Sequence, residues 1–195
     1  MTDTDLRLAR EARRGDRQAL ETLYDRHKEK LLGYLLKMLG NRQTAEDVFH
    51  DVWIKVMQSL AQYRPVQGSF RPWLFRVAAN AAVDRLRKER RRVGPALDAP
   101  AGNDTSERVI DRVPDDAPSP EAEGFGSEIG RALDEALARL PERQRNAVLL
   151  RHQQGMSYRE ISATLQVPEN TAKTLVHRGA RSLRERLAGW SDDEL

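Results

Sequence analysis

The strongest constraint on this chain is a pair of helix signals packed into residues 140–187, LPERQRNAVLLRHQQGMSYREISATLQVPENTAKTLVHRGARSLRERL. Ser157 followed three residues later by Glu160 is a capping box: the hydroxyl accepts from a free amide of the first turn, and the carboxylate accepts from the Ser157 amide. A helix is therefore predicted to start there, with Ile161, Leu165 and Val167 on its apolar side. Residues 166–168 break the run, and a second helix follows with Ala172, Leu175, Val176, Gly179 and Leu183 inward. That register leaves Asn170, Thr171, Lys173, Thr174, His177, Arg178 and Arg181 outward, side chains of the kind that hydrogen-bond base edges and pair with phosphates. Two short helices around a tight break, the second so lined, read as a helix-turn-helix unit whose second helix fits a major groove. The alternative is an ordinary hairpin with a solvated charged face. Charge favours the first reading, because residues 128–190 hold 11 Lys and Arg against 7 Asp and Glu.

The formal net charge of +3 hides opposing segments. Residues 1–92 carry 20 basic and 12 acidic groups, whereas residues 93–127 carry 2 and 8, and the tail 191–195 adds 3 acids. The acidic stretch contains five of the nine prolines (Pro95, Pro100, Pro114, Pro118, Pro120) and Phe125 as its one aromatic, too little apolar surface to bury. It reads as a flexible linker spanning roughly 100 Å when extended. Both flanking blocks show helical periodicity and neither shows strand alternation. The expected fold is all-α: two small helical domains, residues 1–92 and 128–190, joined by the linker 93–127 and followed by the acidic tail.

Composition excludes several classes. With no cysteine there is neither a disulfide framework nor a thiolate metal site, and no apolar run approaches membrane-spanning length. The start, MTDTDLRLAREARRGD, lacks the apolar core of a secretion signal, so a soluble cytoplasmic setting without membrane insertion is expected. His27, His50, His152 and His177 lack paired-ligand spacing, and GFGSEIG at Gly124 lacks the spacing and preceding strand of a dinucleotide fingerprint. No catalytic residue, metal or cofactor is expected.

The first block divides into four predicted helices. One covers about residues 5–14. The next, residues 17–38 after an Asp16 cap, buries Leu20, Leu23, Tyr24, Leu31, Tyr34, Leu35 and Met38 and stops at Gly40 and Asn41. A third opens with Thr44 as cap and buries Ala45, Val48, Phe49, Val52, Trp53, Val56 and Leu60, leaving Glu46, Asp47, His50, Asp51 and Lys55 outside. The fourth starts after Gly68 and Ser69, tolerates Pro72 in its first turn and runs to about Arg92. Phe70, Trp73, Leu74, Val77, Ala78, Ala81 and Leu86 fall at core spacing there, and Arg71, Arg76, Asn80, Asp84, Arg87 and Lys88 form its outer stripe. Six of the eight residues from Arg85 to Arg92 are basic, a density that self-repels unless a polyanion is near. Aromatics with cationic flanks suit unpaired or distorted DNA, although Trp73 and Phe75 also read as core.

AEDVFHDVWIKV, then SFRPWLFRVAANAAVDRLRK, then LPERQRNAVLLR and the helix-turn-helix resemble, in that order and spacing, a bacterial RNA polymerase sigma factor of the extracytoplasmic-function group of the sigma-70 family. The resemblance covers about residues 16–188. It implies a region 2 domain that grips the clamp of core RNA polymerase and melts the minus 10 element as single strands. It also implies a region 4 domain that reads minus 35 duplex and meets the polymerase flap, a linker that threads the enzyme, and an anti-sigma protein as regulator. By position, Asp47, His50, Asp51 and Lys55 correspond to the clamp-contacting face. Arg71, Trp73, Arg76, Asn80, Asp84, Arg85, Arg87 and Lys88 correspond to the minus 10 surface, and residues 63–69 resemble the loop that captures an unstacked base. Arg151, paired with phosphate, and Asn170, Thr171, Lys173, Thr174, His177, Arg178 and Arg181 correspond to the minus 35 surface. The chain departs from the family pattern at His50 (usually Gln), Gln166 (usually Gly), Pro168 (often Ser) and Asn170 (often Gly), which bears on the register of the recognition helix. A stand-alone helix-turn-helix regulator is the competing reading; it leaves the acidic stripe at residues 46–51 and the aromatic and basic fourth helix unexplained.

Overall fold

The computed structural model describes residues 2–60, 63, 70–92 and 128–188, and every regular element among them is helical. The expected linker, the acidic tail and all of the expected base-capturing loop except Tyr63 lie outside the described residues.

Helix α1 (Thr2–Arg13) packs on α2 (Arg17–Leu39), which starts where the Asp16 carboxylate accepts from the amides of Gln18 at 2.9 Å and Ala19 at 3.1 Å. Gly40 ends α2 in a left-handed conformation at φ 71°. Helix α3 (Arg42–Ser59) begins three residues earlier than expected. Its cap is Asn41, whose Oδ1 accepts from the Thr44 amide at 2.9 Å, and Thr44 itself is buried. The extended backbone at Asn41 that follows Gly40 is the conformation a cap needs, so the turn selects Asn41 over Thr44. Tyr24, expected in the core, is 38% exposed and lies against the rings of Phe49 and Trp53 at the surface.

Helix α4 (Phe70–Arg92) follows the expected bounds, but Phe75, Ala79 and Ala82 are buried along with Leu74, Ala78 and Ala81. The cause is a second neighbour: α4 lies between α2 and α3 on one side and α7 on another. Helices α5 (Glu128–Ala138), α6 (Glu142–Val148), α7 (Tyr158–Leu165) and α8 (Glu169–Leu187) form the second block, with a π-helical turn at Leu149–Gln153 after α6. The two blocks share one continuous set of buried apolar residues, from Leu8 to Val176. The buried Arg145 ties them together, its guanidinium donating to the carbonyls of Ala138, of Leu140 at 3.4 Å, and across the seam of Met38 at 2.7 Å. Those carbonyls belong to helix ends that lack partners of their own.

Candidate nucleic-acid interface

Helix α7 begins with the capping box read from sequence: Ser157 Oγ accepts from the Glu160 amide at 3.2 Å, and Glu160 Oε2 accepts from the Ser157 amide at 2.8 Å. It ends at Gln166, which takes the left-handed conformation at φ 54°. Pro168 precedes α8 and supplies no side-chain cap, so α8 starts at Glu169. Ala172, Val176 and Gly179 bury one side of α8, and Leu175 and Leu183 are half-buried. Asn170, Thr171, Lys173, Thr174, His177, Arg178 and Arg181 are all exposed.

Two of these groups have local partners. Arg181 Nε donates to Glu185 Oε1 at 2.8 Å, a bond that raises its already high pKa, and Thr174 Oγ1 donates to the Asn170 carbonyl at 2.9 Å. Arg151 is half-buried. It donates to the Met156 carbonyl at 2.8 Å and sits 4.9 Å from the centroid of the Tyr158 ring, which lies 6.2 Å from the His177 imidazole. Tyr158 therefore connects Arg151 to the outer side of α8, a role the sequence reading did not assign to it. A tyrosine one position after a cap, seven residues beyond an arginine, is its only sequence signal.

On α4 the expected outer stripe splits. Asn80, Asp84, Arg87 and Lys88 are exposed, whereas Arg71, Arg76 and Arg85 are half-buried, as is Trp73. Trp73 lies 4.8 Å from the Tyr63 ring and 5.5 Å from Phe70, so it belongs to an aromatic cluster at the start of the helix. Phe75 is fully buried and is core. Arg85 Nε donates to Glu89 at 2.7 Å, while the Nε and Nη2 atoms of Arg71 are buried without a hydrogen-bond partner.

On α3, Asp47, His50, Asp51 and Lys55 are exposed together, with Gln43 Nε2 3.4 Å from Asp47 Oδ1. Beside them stand two apolar side chains absent from the sequence-derived list, Ile54 at 47% and Met57 at 52% exposure. Asp47, Asp51 and Ile54 follow at spacings of four and three, so an acidic stripe continues into an apolar one on a single helix face. The signal was present: residues 54 and 57 fall out of register with the core positions of α3. Among the described residues, no group of three or more His, Asp or Glu side chains is arranged to hold a metal ion, and no helix is long and apolar enough to cross a membrane.

Comparison with known proteins meets this geometry at both surfaces. The family model for Sigma-70 region 2 matches residues 23–92, and that for Sigma-70, region 4, matches residues 130–183. RNA polymerase sigma factor CarQ of Myxococcus xanthus is 35% identical over 176 residues, covering 90% of this chain and 92% of that protein. The ECF RNA polymerase sigma factor SigE of Mycolicibacterium smegmatis is 34% identical over 182 residues, covering 92% of this chain and 66% of the longer relative. In fold, the chain matches sigma factor RpoE in its co-crystal structure with the anti-sigma factor NepR from Bartonella quintana, with a TM-score of 0.64 at 20% identity over 89% of this chain and 98% of that one. The chain therefore belongs to the sigma-70 family of RNA polymerase sigma factors, in its extracytoplasmic-function group.

Proposed function

We propose that this chain binds core RNA polymerase and directs promoter-specific initiation, with residues 1–92 acting as the polymerase-binding and minus 10 domain and residues 128–190 as the minus 35 domain. The observation that carries this reading is the amphipathic split of α8. Seven polar and cationic side chains stand exposed on a helix whose other side is seated by Ala172, Val176 and Gly179. Such a helix presents its first turns to base edges and its later cations to phosphates. Asp47, His50, Asp51 and Lys55, with Ile54 and Met57, make the polymerase contact: the apolar pair supplies buried area and the charges supply steering. On α4, Asn80 hydrogen-bonds an unpaired base through its amide, and Arg87 and Lys88 pair with phosphates of the minus 10 strand. Trp73, Arg71, Arg76, Asp84 and Arg85 shape that surface. The setting is the cell interior where polymerase and promoter DNA are found, and the regulator is an anti-sigma protein, the kind of partner with which the related RpoE was crystallised.

Run-off transcription with core polymerase on a genomic fragment library tests the reading: discrete start sites should appear only when this chain is added. Asp47→Lys with Asp51→Lys should weaken holoenzyme assembly at least tenfold while leaving helicity unchanged, since exposed substitutions alter stability little. A double variant that assembles as tightly as the parent removes the clamp assignment, and duplex binding as strong without polymerase as with it supports a stand-alone regulator instead.

A further inference from the structure

We propose that the end of α1, through Arg10, Arg13 and Arg14, is a phosphate-binding site for the unpaired promoter strand, set beside the aromatic cluster at the start of α4. The inference rests on the reading above, in which α4 meets minus 10 DNA as a single strand. Residues 7–17 carry five arginines against Glu11 and Asp16. Both acids are already engaged: Glu11 lies 3.6 Å from Arg7, and the Asp16 carboxylate caps α2. Asp5, earlier on α1, holds Arg26 and His27. Arg10, Arg13 and Arg14 are exposed, and among the described residues none of them has an acidic partner. Cations at this density repel one another in the free chain, and a polyanion relieves the repulsion.

The fold sets these cations beside aromatic rings. Helix α1 packs on α4 as well as on α2. Arg13 Nη1 donates to the Tyr63 carbonyl at 3.4 Å, and the Tyr63 ring lies 4.8 Å from Trp73 and 6.0 Å from Phe70. Burial raises the Tyr63 phenol above its usual pKa and the charge of Arg10 opposes the rise, which places Arg10 close to that ring. The Tyr63 hydroxyl is buried without a hydrogen-bond partner among the described residues, a donor left to be satisfied. Helix α4 itself offers little cation at this end. Arg71 has Nε and Nη2 buried, Arg76 is half-buried, and the basic run from Arg85 begins ~22 Å further along the axis. A base stacked on the half-buried Trp73 therefore finds partners for its phosphates on α1 rather than on α4. Contacts to phosphate carry no sequence information, so the site adds grip on the strand and not base choice.

The test uses the full chain assembled with core polymerase, on fork DNA from a promoter found by run-off transcription, duplex upstream and with one strand unpaired across minus 10. Arg10→Gln with Arg14→Gln should weaken fork binding about three- to tenfold and reduce the slope of log affinity against log salt by about 0.7 per arginine, the single-strand value. Arg10→Lys with Arg14→Lys should restore the parent slope, because a lysine also pairs with phosphate. Arg13 is kept, since its bond to Tyr63 also holds the fold. Binding of a duplex fragment carrying minus 35 alone, and assembly with core, should not change. An unchanged salt slope, an equal loss on the duplex fragment, or weakened assembly, which would make the end of α1 a polymerase contact, overturns the proposal. Because the chain has no cysteine, Arg14→Cys can carry a tethered iron chelate whose hydroxyl radicals cut nearby DNA. Cuts should fall on the unpaired strand, and cuts confined to duplex, or none, overturn the proposal as well. A parent holoenzyme that prefers the fork no more than duplex removes the minus 10 reading instead. The comparison of Gln and Lys variants on unpaired oligothymidine, with the full free chain, then still decides the α1 site: equal salt slopes overturn it.

Discussion

Gly179 on the recognition helix and Val148 on α6 are in such close approach that a Cβ on Gly179 would lie 2.5 Å from Val148 Cγ2 and 3.2 Å from the Gln144 carbonyl oxygen. The seat of α8, and with it the direction of its outer side chains, thus depends on a missing methyl group. Gly179→Ala should force α8 away from α6 and cost about 1–3 kcal/mol despite the better helix propensity of alanine. Thermal unfolding measures the loss. A neutral or stabilising result would mean that α6 yields without strain.

At the turn before that helix, Gln166 holds a left-handed backbone at φ 54° with its amide bonded to the Ser162 carbonyl. Its side chain is exposed, so nothing in the packing offsets the Cβ strain. Gln166→Gly should therefore stabilise the chain by about 1 kcal/mol, read as a higher urea midpoint at unchanged slope. Unchanged or reduced stability would show that the gain in chain entropy on unfolding outweighs the relieved strain.

A third expectation concerns acid. His27 is 5% exposed, with Nε2 3.0 Å from Asp5 Oδ2, and Arg26 holds the other Asp5 oxygen at 2.9 Å. Burial lowers the His27 pKa below its usual 6.5; the Asp5 carboxylate opposes the shift, while Arg71 on α4 and Lys30 on α2 add to it. The folded state therefore holds the ring neutral more strongly than the unfolded state does. Its contribution is fully present above about pH 6.5 and is lost as pH falls through the folded value, because the unfolded ring takes up its proton first. Urea midpoints of the parent should drop below pH 6.5 more steeply than those of His27→Gln. Parallel curves would place the acid sensitivity elsewhere.

How much of this was legible in the sequence depends on the range of the interaction. The capping box at Ser157, the bounds of α4 and the outward set on α8 are local features, and periodicity with caps carries them. The seam is not local, since Tyr34 and Asn146 stand 112 positions apart. Alanines 79 and 82 gave no hint that α4 is covered on a second side, because alanine suits buried and exposed positions alike. Arg145 carries no local sequence signal, and only the structure places it on the carbonyls at the ends of α2 and α5. Cap selection at Asn41 over Thr44 turned on the backbone after Gly40, and both residues are good caps by type.

The last expectation divides the exposed side of α8 by its axis. Asn170, Thr171, Lys173 and Thr174 lie in its first turns, whereas Arg178 and Arg181 lie more than one turn further on. Recognition helices point their N-terminal ends into the groove, so the first set is expected to read bases and the second to pair with phosphates. Arg181 already shares its guanidinium with Glu185, which suits a delocalised backbone contact better than bidentate recognition of one base. His177 occupies the boundary, steadied by Tyr158, whose ring in turn carries Arg151. Arg178→Ala should weaken all promoters about equally and reduce the slope of log affinity against log salt by about one contact. Lys173→Ala should instead relax one base position at about 1–3 kcal/mol. Transcription of a library randomised around minus 35 separates the two outcomes, and a base preference altered by Arg178→Ala but by no first-turn substitution would mean that α8 lies in the groove by its middle rather than its N-terminus.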